Sequence, residues 1–236
     1  MTTVSRLRAA ENSEFENLVD RCVRYRNSDL SKFCDIYREK YPKIGRRLPT
    51  EIVRDVLRDV CGYVIDERPL PKGQLALCDF RTRKIKLNSR PGYLLEHGED
   101  LLIWQRCVLA HELGHIRLHT DEMESGCYIS SDLDQGFDDP RFFQKEFEAE
   151  LYAAIFLVPL ELLEKSQRIQ RKRQKLQDNP EVTSSQIWDL VADTARLFGI
   201  TKDLMRLALE VHGWISFEPQ RRFAKNGKLK LIPQRD

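Results

Sequence analysis

The stretch Val108-Leu109-Ala110-His111-Glu112-Leu113-Gly114-His115-Ile116-Arg117-Leu118-His119 sets three of the chain's five histidines four residues apart inside an apolar frame. Residues four apart on an α-helix lie on one face, a turn from each other. His111 and His115 can therefore offer both imidazoles to one metal ion, and Glu112, beside that face, can reach a metal-held water without ligating the ion. Gly114 costs a helix interior about 1 kcal/mol relative to alanine, and a glycine kept at such a place implies that another segment passes close by. HExxH strings also arise by chance on surface helices. The apolar flanks and the histidine clustering count against that here.

A catalytic zinc ion takes three protein ligands and keeps one open position. Three turns of one straight helix cannot wrap a tetrahedral ion, and the spacing HExxHxxGxxH is absent, so His119 reads as a supporting or core histidine. The further donor is expected in Lys145-Glu146-Phe147-Glu148-Ala149-Glu150-Leu151-Tyr152-Ala153-Ala154, where three carboxylates open an otherwise apolar helix. Burying such charges is costly unless one is bound to something. Periodicity alone does not select among Glu146, Glu148 and Glu150.

Outward from these two segments, a helix is expected over about 99–119 and another over 145–158, stopped by Pro159. The polar residues 120–144 between them read as a long acidic loop: residues 121–150 hold ten Asp/Glu against two Lys/Arg. Its length suggests a role at the cleft. Short β-branched and alternating runs, Tyr63-Val64-Ile65, Leu75 to Phe80 and Lys84-Ile85-Lys86-Leu87, predict a small antiparallel sheet over 62–88. Upstream, the spacing predicts separate helices over 13–26, with a capping box Ser13-x-x-Glu16, and over 29–41, then one from Pro49 to a Gly62 cap. Downstream lie a charged connector at 164–184, a solvated helix or a linker, and two helices near 185–198 and 202–212 joined by Gly199-Ile200-Thr201. Asn226-Gly227 in the tail is a weak hairpin signal.

These readings divide the chain into an N-terminal helical segment (1–47), a metallopeptidase domain (48–163), the connector (164–184), a helical pair (185–216) and a basic tail (217–236). With 41% hydrophobic and 32% charged residues the composition is that of a soluble globular protein. Six cysteines without CxxC pairing, several inside apolar runs, suit a reducing compartment. No apolar h-region opens the chain and no apolar run is long enough to span a bilayer, so neither secretion by that route nor a membrane partner is expected.

The run from Lys84-Ile85-Lys86-Leu87-Asn88 through Ala110-His111-Glu112-Leu113-Gly114-His115-Ile116-Arg117-Leu118-His119 resembles the ImmA/IrrE metallopeptidases, which show a strand ending in Asn, then AHELGHxxLH. Their later helix, ExEANxFAAxLLMP, resembles Glu146 to Pro159, with Glu150 standing where Asn or Asp is usual and Tyr152 where Phe is common. The likeness covers about residues 50–160, and 185–215 resemble the following helical segment; 1–47 have no counterpart. It implies an α+β fold, a minimal gluzincin of the zincin type with a helix-turn-helix-like C-terminal segment. It also implies Zn2+ held by His111, His115 and Glu148, with Glu112 as the catalytic base.

The resemblance further implies a cytoplasmic endopeptidase whose protein substrate is a helix-turn-helix repressor. The competing reading is a DNA-binding or ligand-sensing regulator that keeps the metal fold without hydrolysis. It draws on the helix-turn-helix spacing around Phe198-Gly199-Ile200-Thr201 and on fifteen Lys/Arg against nine Asp/Glu in 164–236. Asp203 and Glu210 beside Lys202 and Arg206 make a poor face for phosphates, so direct DNA binding is not favoured. Glu112 argues for hydrolysis, since a structural metal site has no use for it. Tyr93, Tyr128 and Tyr152 are the candidate oxyanion donors.

Overall fold

The structure is a computed structural model that describes residues 3–38, 49–71, 74–91, 100–120, 127–128, 140–219 and 227–232. It opens with one long helix, α1 (Thr3–Arg38), where the sequence suggested two. The break expected near Asn27-Ser28 does not occur, and Ser13 lies within the helix rather than capping it. Asn and Ser are only weak helix formers, and here tertiary contacts outweigh them. Cys22, Arg26, Asp29, Phe33 and Tyr37 are all buried along one side of α1, which packs against α4 (Pro140–Leu157).

Helix α2 (Pro49–Asp55) widens into a π-helical turn, Val56–Val60, in which Cys61 N–H donates to Val56 O at 3.0 Å. Gly62, at φ +74°, then turns the chain out of the helix, a conformation that favours glycine. Strand β1 (Val64–Arg68) follows, with β2 (Ala76–Asp79) and β3 (Lys84–Asn88). The sheet order is β1-β3-β2-β4, with the short β4 at Cys127–Tyr128. β2 runs antiparallel to both β3 and β4, but β1 pairs with β3 in parallel, Ile65 opposite Ile85. The sheet is therefore mixed, not antiparallel as expected. A parallel neighbour needs the chain to cross over between β1 and β2, and Asn88 secures that crossing. Its buried side-chain amide donates to Gln74 O at 2.8 Å while its carbonyl accepts from Arg90 N at 2.9 Å.

Helix α3 (Leu101–Leu118) starts at Asp100, whose carboxylate accepts from Leu102 N at 2.8 Å. It packs on α2 and most extensively on α4. The connector is a docked helix, α6 (Gln167–Gln177), preceded by α5 (Leu160–Lys165). Ile169, Arg173 and Leu176 turn inward, with the Arg173 guanidinium 4.2 Å above the buried Trp214 ring. Helices α7 (Ser184–Phe198) and α8 (Lys202–Val211) meet at Gly199, φ +64°.

α8 lies against α4, burying Leu204, Met205, Leu207, Ala208 and Leu209. His212, just beyond it, donates from Nε2 to Val158 O at 2.7 Å. The outer face of α8 carries exposed Lys202 and Asp203, with Arg206 paired to Glu210 at 2.8 Å. In the tail, β5 (Ile215–Pro219) and β6 (Gly227–Leu231) pair antiparallel, with Pro219 opposite Gly227. Gly227 is thus a strand residue, and the connection at 220–226 lies outside the described residues, as do 121–126 and 129–139 of the acidic loop. Among the described residues no helix is long and apolar enough to cross a membrane.

Candidate metal centre

One turn of α3 sets His111 beside His115, and α4 supplies a carboxylate facing both. His111 Nε2 stands 2.9 Å from His115 Nε2. Glu146 faces both, with Oε2 3.2 Å from His111 Nε2 and Oε1 3.2 Å from His115 Nε2. Among the described residues this trio forms a group whose donor atoms can hold one metal ion. Tetrahedral zinc with bonds of about 2.0–2.2 Å sets its donors about 3.2–3.6 Å apart, so the observed spacing fits and is only slightly tight. The chemistry of the donor set agrees. Without a metal the two imidazoles share a hydrogen bond at this distance, and an ion bound by both Nε2 lone pairs would take the place of that proton.

Two of the three donors, His115 and Glu146, are already in the charge state of metal ligands. Burial works against the imidazolium at His111, but Glu146 and Glu150 outweigh it and hold its pKa well above the ordinary range. Burial pushes His115 down to about 3, leaving it neutral at physiological pH. Burial would raise Glu146, but its bonds to the two histidines dominate and keep it below the usual carboxylate range. An anionic carboxylate and a neutral imidazole are the ligand forms a metal requires, so His111 would release its proton on binding one.

Glu148, the ligand that the resemblance implied, is not brought to the pair. Each helical residue advances about 100°, so Glu146 and Glu150, four apart, share the face toward α3 while Glu148 points about 200° away. Its Oε2 meets His119 Nε2 at 3.1 Å instead. Glu150 Oε2 lies 3.2 Å from His111 Nδ1, the nitrogen turned away from the trio. Helical phase around the α3 contact could have separated these roles, but it needed the knowledge that Ala149 sits at that contact.

The close approach rests on Gly114. A Cβ there would lie 2.7 Å from Ala149 O and 2.8 Å from Ala149 Cα, inside the backbone of α4. Only glycine lets the two helices meet so that Glu146 reaches the histidines. Glu112 and His115 are fully buried, whereas the side chains of His111 and Glu146 keep 15% and 23% of their surface. The group is thus closed on the Glu112 and His115 side and open on the other. Tyr152 is fully buried and donates to Asp29 Oδ2 at 2.9 Å, which commits its hydroxyl to the core. The side chains of Tyr93 and Tyr128 lie outside the described part.

A family model, the IrrE N-terminal-like domain of a peptidase family, matches residues 61–209. The chain belongs to the ImmA/IrrE family. The match spans α3 and α4 with both motif segments, the connector helix α6 and most of the α7–α8 pair, and it begins after α1, α2 and the π-helical turn. ImmA/IrrE membership makes this a peptidase-type domain with a metallopeptidase site, in keeping with the His/Glu group. No curated protein matches the chain.

Proposed function

We propose that the chain is a zinc-dependent endopeptidase in which His111 Nε2, His115 Nε2 and Glu146 hold the ion and Glu112 is the general base. The observation that carries this reading is the convergence of two imidazoles and one carboxylate within 3.2 Å of each other, next to a fully buried glutamate. Bound zinc would supply Lewis acidity, bringing the pKa of a coordinated water to about 7. Glu112 would take that water's proton on its carboxylate and pass it to the departing amine nitrogen. Glu150 would orient His111 through Nδ1, and the more open flank at His111 and Glu146 would admit the polypeptide.

Family membership supports a protein substrate. The narrower reading, a helix-turn-helix repressor cut in the cytoplasm, follows from the resemblance alone. The non-hydrolytic, DNA-binding alternative draws little support from α8, whose inner face is buried and whose outer Arg206 is paired with Glu210.

The test compares wild type with Glu112→Gln, both loaded with zinc, on candidate repressor proteins read by mass spectrometry. Removing a general base lowers the rate by about 10²–10⁴-fold. The variant should retain zinc and lose cleavage to that degree. Equal cleavage by both proteins would remove Glu112 from the mechanism.

A further inference from the structure

On the side of His115 away from Glu146, a row of polar side chains runs from α3 through α4 to the N-terminal helix. His115 Nδ1 lies 3.1 Å from His119 Nδ1, and His119 Nε2 lies 3.1 Å from Glu148 Oε2. Glu148 Oε1 accepts from Gln144 Nε2 at 2.9 Å, and Oε2 also meets Arg21 Nη2 at 3.4 Å. His115 is wholly buried and His119 is 2% exposed.

With Glu148 as acceptor and His119 neutral, hydrogen-bond polarity leaves one arrangement of protons along this row. An ionised carboxylate only accepts, so His119 must donate to Glu148 from Nε2. A neutral His119 then presents a bare Nδ1, which can only accept, and His115 must donate from its own Nδ1. The remaining lone pair of His115 sits on Nε2, directed at His111 and Glu146. The row therefore selects the one tautomer of His115 able to bind a metal through Nε2.

We propose that His119 and Glu148 are positioning residues that hold His115 in its metal-binding tautomer and orientation, with Gln144 and Arg21 steadying Glu148. This rests on the reading of His111, His115 and Glu146 as ligands. Glu148 thereby gains a function other than the ligation that the resemblance implied. Arg21, outside the family-matched residues, brings α1 into the centre. Its contact is long and its side chain 42% exposed, so its share is small.

Zinc affinity of the full-length chain, measured by competition with a chromophoric chelator, tests this without any assay of cleavage. Loss of such a partner weakens metal binding by about 10–100-fold. His119→Leu should fall in that range. His119→Gln, whose carbonyl can still accept from His115, should recover most of the loss, and Glu148→Gln should lie between wild type and His119→Leu. In the zinc-loaded wild type, long-range ¹H–¹⁵N NMR should show His115 protonated at Nδ1 and His119 at Nε2.

Circular dichroism of each metal-free variant reports folding. If His119→Leu does not fold, the two glutamine variants and the NMR spectrum still decide. Wild-type affinity in the His119 variants, a His115 bare at Nδ1, or a Glu148→Gln as damaged as Glu146→Gln would overturn the proposal. Glu146→Gln serves as the separate control. It should lose more than any positioning variant, and wild-type affinity there would instead show that the ligand assignment itself is wrong.

Discussion

Helix α3 meets α4 through a glycine and meets α1 through an arginine. At the first contact Gly114 rests on the backbone of Ala149, and nothing but the lack of a side chain permits it. At the second, Arg117 donates to Asp29 of α1 from Nε at 2.9 Å and from Nη2, with Nη2 also 3.1 Å from Cys61 Sγ. Tyr152 of α4 adds a third bond to the same carboxylate at 2.9 Å. One face is defined by shape and sets how near Glu146 comes to the histidines. The other is defined by charge and locks a helix that lies outside the family-matched residues onto both helices of the His/Glu group. A family domain can thus be extended by a helix that attaches through one buried polar knot, provided every member of the knot is satisfied.

The largest effect is expected at that knot. Asp29 is 1% exposed, and Asp29→Ala would leave Arg117 without its counter-charge and Tyr152 without its acceptor. Removing one partner of a buried pair costs about 3–5 kcal/mol, so chemical denaturation should show a loss of that order. Asp29→Asn, which keeps an acceptor, should lose less. If Asp29→Ala unfolds like wild type, α1 is not held by this cluster, and the contrast between the two faces disappears.

A smaller change is expected at Gly114. Gly114→Ala gains about 1 kcal/mol of helix propensity, but the added Cβ meets backbone atoms that cannot rotate away. Overpacking costs about 1–3 kcal/mol, so a modest net destabilisation is expected in the same denaturation experiment. Zinc affinity should suffer more than stability, because relief requires α4 to move and α4 carries Glu146. A variant more stable than wild type with undiminished zinc affinity would mean that the close approach does not set the site.

The contrast also explains what could be read in advance. The α3 and α4 segments carry their chemistry in local spacing: four-residue intervals for the histidines, and a glycine whose helix penalty asks for a reason. The candidate pair His111 and His115, the buried Glu112 and the presence of a carboxylate donor on the later helix were all legible from that. That Glu146 and not Glu148 faces the histidines was not, since both lie in one charged segment and only the phase of α4 against Gly114 separates them. Asp29, Arg117 and Tyr152 are far apart in sequence and follow no pattern, so their association had no local signal. For the same reason α1 read as two helices, its weak Asn27-Ser28 step being overruled by contacts made elsewhere. The parallel pairing of β1 with β3 likewise depends on a crossover that strand periodicity does not encode. The burial of Cys78 was readable from its apolar neighbours, whereas Cys107 in a similar run is only half-buried and Cys22 is buried among charged neighbours. Cys22 and Cys78 are fully buried, and burial pushes the Cys22 thiol up to about 12, which leaves it unreactive at neutral pH.

X-ray absorption at the zinc edge, on the full-length chain loaded with one equivalent of zinc, tests the account of the centre most directly. Two imidazole nitrogens and carboxylate or water oxygens at about 2.0–2.2 Å are expected, with the carboxylate contribution lost in Glu146→Ala and kept in Glu148→Ala. A third imidazole, a sulfur neighbour near 2.3 Å, or a spectrum changed by Glu148→Ala and not by Glu146→Ala would contradict it.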